Sequence, residues 1–304
     1  MELRHLRYVL AVAEELHFTH AAERLCIGQP PLSQQIKQVE EEVGAKLFKR
    51  GTRSVELTDA GRAFLPHAKA ALREAEQAIH AARQANRGEL GTVRIGFTSS
   101  ASFNRHVPRI VSHFRDAYPE VELYLMEQAT NLLLNALQEN AVDIVFIRPT
   151  LGQRENLVSL TLPPEALWIA LPAGHPLSKW ESLQLIDLAH EAFVLYPREN
   201  GSLLYDSIIA ACRNAGFSPY VAQEAPQMAS TVNLVAAGVG VAIVPESMCQ
   251  IHPQGVTYVR IADPAPSAML WVAHRHSQTV PPVVQNFMQE VYRYLADLEI
   301  DRAV

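Results

Sequence analysis

The sequence predicts an α/β protein that begins with a helix-turn-helix and continues into strands alternating with helices. Three observations carry this prediction. Residues 18–48 show two short helical patterns around a tight turn, residues 65–86 repeat apolar side chains at helical spacing, and strand-like and helix-like segments alternate from residue 91 onward. The chain has 304 residues, which is enough for more than one domain with a full hydrophobic core.

Composition places the chain among ordinary folded proteins. Hydrophobic residues make up 48% and charged residues 19%, as is typical of a soluble globular protein rather than a disordered one. The net charge of −6 argues against a uniformly basic nucleic-acid protein, so any DNA contact depends on where the cations lie. The longest apolar run, 234–245, is too short to cross a bilayer, and no signal-peptide pattern opens the chain. Three cysteines without a CxxC pair fit a reducing cytoplasm.

An opening helix is expected to support the helix pair, because apolar residues repeat along one of its sides. The first helix of the pair is predicted to begin at Thr19, whose hydroxyl can accept a hydrogen bond from a free backbone N–H of the first turn. Residues 26–28 form the turn, in which Gly28 supplies backbone angles that a branched residue resists. The apolar side of the opening helix comprises Leu3, Leu6, Leu10, Ala13 and Leu16.

The second helix of the pair has a buried stripe and a polar face. Pro30 and Pro31 lie in its first turn, where proline is tolerated, and Gly44 ends it. A face rich in Gln and Ser suits base edges and phosphates in a major groove, while the acids at 40–42 leave only its N-terminal half to approach DNA. The stripe comprises Leu32, Ile36, Val39 and Val43, and the polar face comprises Gln29, Ser33, Gln34, Lys37 and Gln38.

Residues 46–58 predict a short hairpin directly after the helix pair. Gly51 lies at its tip, with Lys49, Arg50 and Arg53 around it. Cations on such a wing are placed to reach the phosphate backbone of DNA. A helical hairpin in some other core is the alternative for the helix pair, and the wing argues against it.

A long helix is predicted from Thr58, with Asp59 in its positive first turn. Its apolar seam follows a heptad spacing, which favours pairing with the same helix of a second subunit. Such a dimer would present two recognition helices to a two-fold symmetric site. An amphipathic helix packed on its own domain is the alternative. The seam comprises Leu65, Ala68, Leu72, Ala75, Ile79, Ala82 and Asn86.

The rest of the chain alternates between strand and helix patterns, as α/β domains do. The predicted strands are 93–97, 121–127, 142–147, 167–172, 192–196, 220–223, 241–244, 256–260 and 269–274, and the predicted helices are 104–117, 131–139, 202–214, 228–237 and 282–298.

Several of these stretches together resemble the LysR-type transcriptional regulators. The resemblance is carried by LRHLRYVLAVAEELHFTHAAERLCIGQPPLSQQIKQVEEEVGAKLFKRGTRSVELTDAGRAFL (3–65), HPLS (175–178) and LVAAGVGVAIVP (234–245), and it covers the whole length. Within the family, the opening residues are most similar to the branch that controls the breakdown of aromatic acids. The chain departs from the family pattern at Gly28, where Ser is usual, and at Gln34, where Arg is frequent.

The resemblance implies a domain plan and a function. A winged helix-turn-helix (1–58) and a dimerisation helix (59–88) precede an effector-binding domain (89–304), which is two-lobed like periplasmic binding proteins, with lobe I at 89–162 and 268–304 and lobe II at 163–267. It implies a cytoplasmic regulator that binds promoter DNA and a small aromatic or related carboxylate, without a cofactor. Dimers or tetramers, and RNA polymerase as a partner, are also implied. The candidate DNA contacts are Thr19, Gln29, Pro30, Pro31, Ser33, Gln34 and Lys37 with Arg50 and Arg53 of the wing.

The effector site is predicted at the carboxyl ends of the first strands, where α/β folds bind ligands. Hydroxyls and free N–H groups at 98–102 favour a carboxylate, with Ser99 and Ser100 as candidates. Thr130 and Arg148 end the next strands, and for Arg148 an interlobe salt bridge is the open alternative. By resemblance, the second lobe contributes Gly201, Ser202 and Leu203, with Gln227 and Met228 as further walls.

Other chemistry has weak support. No GxSxG, HExxH or paired-acid motif indicates an enzyme, and no histidine pair has a third metal ligand nearby. Gly238 and Gly240 follow a helix and lead into a strand, which is the reverse of a dinucleotide-binding loop. Cys212 and Cys249 lack cationic neighbours and are better explained as buried thiols than as a redox switch. The alternatives left open are a solute-binding protein and a redox-sensing regulator of the same fold.

Overall fold

The computed structural model describes residues 1–51, 55–149, 156–262 and 264–303. The chain divides into two compact units, Met1–Gln84 and Ala85–Val304. Within the described residues no helix is both long and apolar enough to span a membrane.

The first unit is a winged helix-turn-helix followed by a long helix, as the sequence predicts. Its core is formed by apolar residues of the first three helices and of the hairpin, among them Val9, Val12, Ile36 and Phe48. The hairpin strands are antiparallel, with Lys49 opposite Glu56. The elements are α1 (Leu3–Glu15), α2 (Phe18–Arg24), α3 (Gln29–Val43), β1 (Phe48–Arg50), β2 (Val55–Leu57) and α4 (Asp59–Asn86).

The buried side of α1 differs from the predicted one. Leu6 is buried, but Leu3 and Leu16 are 45% and 47% exposed, and Val9 and Val12 form the contact with the core instead. Leu16 lies beyond the helix, in the left-handed region with φ 49°, because the chain must turn sharply there into α2.

Two predictions for the helix-turn-helix were wrong, one for the start of α2 and one for the turn. α2 begins at Phe18, and its N-cap is His17, whose Nδ1 accepts a hydrogen bond from the Thr19 N–H at 3.2 Å. Thr19 is therefore inside the first turn and is not the cap. In the turn, the left-handed residue is Cys26 at φ 55°, whereas Gly28 is extended (φ −70°) and precedes α3 as its N-cap.

α3 agrees with the predicted pattern except at its C-terminal end. Leu32, Ile36 and Val39 are fully buried, and Gly44 ends the helix in the left-handed conformation. Val43 is 39% exposed, and Glu40 is buried in its place. The buried stripe of α3 therefore ends at Glu40, directly after Val39, and does not extend to Val43.

Thr58 begins α4 as predicted. Its Oγ1 accepts a hydrogen bond from the Gly61 N–H at 2.9 Å and donates to the Lys46 carbonyl oxygen at 2.6 Å. Along the predicted seam, Ala68 is buried and Leu65 and Leu72 are half-buried within this unit, whereas Ile79 is 55% exposed. The C-terminal half of the seam thus has no cover from the chain's own first unit.

The second unit contains two sheet-based lobes, and the chain crosses between them twice. The elements of this unit are β3 (Gly91–Phe97), α5 (Ser99–Ser102), α6 (His106–Ala117), β4 (Val121–Glu127), α7 (Thr130–Gln138), β5 (Ile144–Ile147), β6 (Leu157–Thr161), β7 (Glu165–Pro172), β8 (Ser182–Leu183), β9 (Ala192–Leu195), α8 (Ser202–Asn214), β10 (Tyr220–Glu224), α9 (Met228–Ala236), β11 (Ala242–Pro245), β12 (Val256–Ile261), β13 (Ser267–Ala268), β14 (Trp271–Arg275) and α10 (Pro282–Ala303).

Lobe I holds β3–β6 and β14, in the order β4-β3-β5-β14-β6, with β4, β3 and β5 parallel and β14 antiparallel to its neighbours. The last strand, β14, returns to lobe I after all the strands of lobe II, which is the crossover that the resemblance implies.

Lobe II is a second sheet of mixed direction. Its path is β11-β7-β12-β8, with β13 also paired to β7, and the parallel pair β10-β9 joins it where Val194 and Val241 are hydrogen-bonded at 2.8 Å. α8 and α9 contribute buried residues such as Ile208 and Val232 to its core. The last helix, α10, packs instead on the sheet of lobe I through Phe287 and its neighbours.

The sequence missed four short elements, namely α5, β6, β8 and β13. Each is between two and five residues long, so periodicity has too few positions to reveal it. The other predicted elements of this unit occur within a few residues of their expected bounds.

Candidate functional site

The N-terminal half of α3 presents a polar surface. Gln29, Gln34 and Lys37 are exposed and Ser33 is half-buried. The Gln29 amide donates to the Ser33 hydroxyl at 2.9 Å, so two candidate contacts one turn apart support each other. Lys37 pairs with Glu41 at 3.4 Å on the same face. The remaining exposed candidates of the helix pair are Thr19, Pro30 and Pro31.

The C-terminal half of α3 is fixed to the base of the wing by Glu40. This residue is 4% exposed, and its carboxylate accepts hydrogen bonds from the backbone N–H groups of Leu47 and Phe48 at 2.9 and 3.2 Å, and from Lys46 Nζ at 2.8 Å. Burial raises the pKa of Glu40, but these hydrogen bonds lower it by more, so its pKa lies below the usual range. Sequence reasoning missed this role of Glu40.

Lys49 is the predicted wing cation whose side chain the structure describes. Lys49 is exposed on β1, opposite Glu56. The side chain of Arg50 and the whole of Arg53 lie outside the described residues. The N–H of Val55 donates to the carbonyl oxygen of Leu16 at 3.1 Å, which attaches β2 to the turn between α1 and α2.

A crevice lies between the two lobes of the second unit. Hydroxyl and amide groups alternate with apolar walls around it, and Arg148 carries the only charge among the described lining residues. The lining comprises Thr98, Ser99, Ser100, Gln128, Ala129, Arg148, Tyr196, Asn200, Gly201, Leu204, Pro226, Gln227 and Met228.

Four helices begin at this crevice. Thr98, Ala129, Gly201 and Gln227 are the N-caps of α5, α7, α8 and α9, and all four line the crevice. The N-cap side chains make no hydrogen bond to these helix starts. In α7 the Leu132 N–H donates to Asn131 Oδ1 at 2.9 Å, and in α8 the Leu203 N–H donates to the Pro149 carbonyl oxygen at 3.3 Å, so only part of the first-turn N–H groups remains for other acceptors. The Thr98 hydroxyl is also buried, and it has no hydrogen-bond partner among the residues that the structure describes. Helix N-termini carry a partial positive charge, and the crevice therefore favours an anion.

Arg148 joins the two lobes beside the crevice. Its Nη2 donates to Glu165 Oε1 at 2.5 Å, its Nε to the Ser100 hydroxyl at 3.2 Å, and its Nη1 to the Met269 carbonyl oxygen at 3.1 Å. Arg148 directly follows β5 in lobe I and Glu165 begins β7 in lobe II, so the interlobe salt bridge exists. Arg148 also lines the crevice. The same side chain therefore makes the interlobe salt bridge and borders the crevice, the two alternatives that the sequence left open.

Glu165 collects donors from both lobes. Its Oε1 also accepts from the Asn104 amide at 3.2 Å in lobe I, and its Oε2 accepts from the Ser247 N–H at 3.0 Å in lobe II. Burial raises the pKa of Glu165, but the Arg148 guanidinium and the Ser247 N–H lower it by more, so its pKa lies below the usual range. The carboxylate remains charged at neutral pH and holds the two lobes together.

The structure brings most of the predicted effector residues together. Ser99, Ser100, Arg148, Gly201 and Met228 line the crevice. Thr130 lies next to the lining residue Ala129, fully buried and with no described partner for its hydroxyl. Ser202 and Leu203 do not line the crevice, and the Leu203 N–H instead donates to the Pro149 carbonyl oxygen at 3.3 Å.

Sequence reasoning missed Gln128, Tyr196 and Asn200. Gln128 and Tyr196 each follow the last residue of a strand, β4 and β9, so the rule that placed the Ser loop would have found them. Tyr196 is buried and its hydroxyl donates to the Gly201 carbonyl oxygen at 3.1 Å, which fixes the ring as a wall. Burial raises the pKa of Tyr196, so it acts as a neutral donor.

The histidines and cysteines show no metal or redox arrangement in the described part of the chain. His17 and His20 stack with ring centroids 4.4 Å apart, but no group of three possible metal ligands occurs among the described residues. Burial raises the pKa of the Cys212 thiol to about 11, and burial with nearby carboxylates raises that of Cys249 to about 12. Both thiols are therefore protonated and unreactive at neutral pH.

Two family models match the chain. Residues 3–62 match the bacterial regulatory helix-turn-helix proteins of the lysR family, and residues 86–296 match the LysR substrate binding domain. The matched families and relatives are transcriptional regulators, which confirms that the chain is not an enzyme.

Individual relatives agree with the family match over nearly the whole chain. The HTH-type transcriptional regulator AlsR of Bacillus subtilis (strain 168) is 41% identical over 288 residues, covering 95% of this chain and 94% of AlsR. BenM of Acinetobacter baylyi is 34% identical, covering 97% of each chain. Among solved structures, full-length CbnR complexed with its target DNA is 26% identical with a TM-score of 0.83, covering 97% of this chain and 100% of CbnR.

Proposed function

Because the chain belongs to the LysR family of DNA-binding transcriptional regulators, we propose that a small carboxylate bound between its lobes controls how it binds promoter DNA. The observation that carries this proposal is the convergence on one crevice of four helix starts whose N-cap side chains make no cap hydrogen bond, two serine hydroxyls and Arg148. An anionic group is the ligand chemistry that such a set of donors favours.

The first unit reads the DNA in this proposal. The polar face of α3 enters the major groove with Gln29, Ser33, Gln34 and Lys37, as helix-turn-helix proteins do. Thr19, Pro30 and Pro31 border this face, and Arg50 and Arg53 bring the wing to the phosphate backbone.

The seam of α4 provides the dimer contact. Ile79 is exposed and Leu65 and Leu72 are only half-buried in the chain's own unit, at heptad spacing. We propose that residues 59–88 pair with the same helix of a second subunit and that two such dimers form a tetramer in the cytoplasm, with RNA polymerase as a partner at the promoter. Two recognition helices then match a two-fold symmetric operator.

The effector is proposed to be an aromatic or aromatic-derived carboxylate. Leu204, Met228 and the ring of Tyr196 form apolar walls beside the anion-binding donors. Such walls accept a flat hydrophobic body while the helix starts hold its carboxylate. The aromatic part rests on the resemblance of the opening residues to regulators of aromatic-acid breakdown.

Effector binding would act on the contacts that join the lobes. The Arg148–Glu165 ion pair and the hydrogen bond from Leu203 to Pro149 both cross between the lobes at the crevice. A carboxylate that competes for Arg148 favours one lobe arrangement over another, and the populations of arrangements shift by the difference in affinity.

The proposal is tested by fluorescence anisotropy of the purified chain on DNA from the region upstream of its own gene. We expect tight binding with a steep salt dependence, altered by at least one acid in a panel of aromatic and aliphatic carboxylates. An effect of aliphatic acids alone removes the aromatic assignment. Binding that no carboxylate alters contradicts the effector site, and an unaltered affinity in an Arg50→Ala, Arg53→Ala variant contradicts the wing contact.

A further inference from the structure

The base of the wing is held by the helices on both sides of it. Glu40 of α3 accepts the N–H groups of Leu47 and Phe48, at 2.9 and 3.2 Å. From the start of α4, the Thr58 N–H donates to the Leu47 carbonyl oxygen at 3.0 Å and the Thr58 hydroxyl donates to the Lys46 carbonyl oxygen. Residues 46–48 are therefore the point where the recognition helix, the wing and the long helix are joined.

A carboxylate is a costly choice for the position of Glu40. Its side chain is almost fully buried, and a buried carboxylate destabilises a fold unless hydrogen bonds compensate for the water it loses. The cation that pairs with it, Lys46, is 67% exposed, so the salt bridge contributes little. The two backbone N–H groups are the partners that an apolar side chain could not replace. They belong to Phe48, the first residue of β1, and to Leu47 directly before it, and β1 is the strand that carries Lys49 and Arg50.

We propose that Glu40 is a positioning residue for DNA binding: its carboxylate sets the position of the wing relative to the recognition helix. Glu40 does not touch DNA in this scheme. It fixes the first strand of the wing, so that the wing cations reach the phosphate backbone while the N-terminal half of α3 lies in the groove. This inference rests on the proposed wing contact with DNA.

The other attachments explain why loss of Glu40 leaves the fold intact. β2 is attached to Leu16 through the Val55 N–H, and α4 packs so closely on the wing base that a side chain at Gly61 would collide with the Leu47 carbonyl oxygen. These contacts persist without Glu40. What is lost is the direct connection between α3 and β1, so the wing becomes free to shift relative to the recognition helix.

Three substitutions at Glu40 separate positioning from stability. Glu40→Gln keeps an oxygen that accepts both N–H groups. Glu40→Ala removes it, and Glu40→Asp keeps the charge but shortens the reach by one methylene. Glu42→Ala removes the same charge from the same helix at an exposed site and is the control. Affinity and its salt dependence are measured by anisotropy on the upstream DNA, after circular dichroism and melting temperature have established which variants fold.

We expect Glu40→Ala and Glu40→Asp to weaken DNA binding about tenfold and to reduce the salt slope by about one to two, since each lost phosphate contact removes roughly 0.9. Glu40→Gln and Glu42→Ala keep the slope of the parent chain. If Glu40→Ala does not fold, the DNA affinity and salt slope of Glu40→Asp test the proposal. A lower melting temperature with an unchanged slope in the folded variants overturns the proposal and leaves Glu40 a role in stability alone.

A Lys49→Ala, Arg50→Ala variant distinguishes this inference from the wing contact on which it rests. With both proposals correct, adding Glu40→Ala to that variant weakens binding no further, because the contacts that Glu40 positions are already gone. Full additivity overturns the positioning role while leaving the wing contact in place. An unchanged affinity and slope in Lys49→Ala, Arg50→Ala overturns the wing contact, and the positioning role with it.

Discussion

Each of the two units contains a largely buried glutamate with a lowered pKa, and the two differ in what compensates their charge. Glu40 is compensated by the Lys46 ammonium and by the backbone N–H groups of Leu47 and Phe48, and these N–H groups have fixed positions in the chain. Glu165 is compensated by the side chain of Arg148, which belongs to the other lobe, together with the Ser247 N–H. The first arrangement makes a rigid joint, whereas the second can be opened by another anion that binds the arginine.

The difference between the two glutamates matches the different tasks of the two units. A DNA-reading surface requires the wing and the recognition helix at one fixed spacing, because the phosphates of DNA have a fixed spacing. An effector site requires two arrangements of similar free energy, so that a ligand can change their populations.

The largest effect is expected from Arg148→Ala. The substitution leaves the Glu165 carboxylate buried without its cation, which typically destabilises a fold by about 3–5 kcal/mol. Urea unfolding of the full chain measures the loss. In Arg148→Met combined with Glu165→Gln most of the stability returns, since no buried charge remains. Equal destabilisation by the single and the double variant would mean that the ion pair is not the source of the loss.

The next effect is expected from Ile79→Glu on the exposed part of the α4 seam. A charge at the centre of a helix pair must be buried without a partner, so the dimer dissociation constant should rise by about 100-fold or more. Sedimentation equilibrium gives the constant, and far-ultraviolet circular dichroism checks that the monomer keeps its helices. Gln77→Glu, two residues earlier and also exposed, adds the same charge outside the seam and is the control. Identical constants for the two variants would place the dimer contact elsewhere.

A smaller effect is expected from Gly201→Ala at the crevice. Gly201 is extended at φ 167°, and an added Cβ would lie 3.5 Å from the Tyr196 ring and 3.6 Å from Arg148, in ordinary contact. The fold tolerates it, while the effector loses room, so its affinity falls about three- to tenfold in calorimetry with an unchanged melting temperature. An unchanged effector affinity would show that this wall does not border the ligand.

The smallest effect is expected from acid. The folded-state pKa of Glu40 lies below its usual value, so its contribution to stability is present above about pH 4.3 and is lost as the pH falls through the folded value. Glu40→Gln therefore loses less stability than the parent chain between neutral and acidic pH. Urea unfolding at several pH values measures the two slopes, and parallel slopes would contradict the assigned pKa direction.

The sequence predicted the parts of the molecule that depend on regular spacing. Leu32, Ile36 and Val39 repeat at helical intervals, and the alternation of strands and helices indicated the α/β class of the second unit. The two-lobed crossover came from the family resemblance. The carboxyl-end rule also predicted Ser99 and Ser100 as effector contacts, and both side chains line the crevice.

What the sequence did not predict depends on partners far along the chain. Glu40 lies among three consecutive acids, so its pattern indicates a solvated face, and only the fold brings Leu47 and Phe48 to its carboxylate. Glu165 is compensated by residues of both lobes, which no local window contains. The cap at His17 was missed because Thr is the more frequent N-cap, and the left-handed Cys26 because Gly28 was nearby.

The most direct test of the central claim is a reciprocal binding measurement. Isothermal titration of the active carboxylate into the full chain, with and without saturating operator DNA, gives two effector affinities. If one crevice controls DNA binding, their ratio equals the factor by which that carboxylate changes the DNA affinity, since coupling between two sites is reciprocal. A carboxylate that changes DNA affinity while its own affinity is identical with and without DNA would contradict the account.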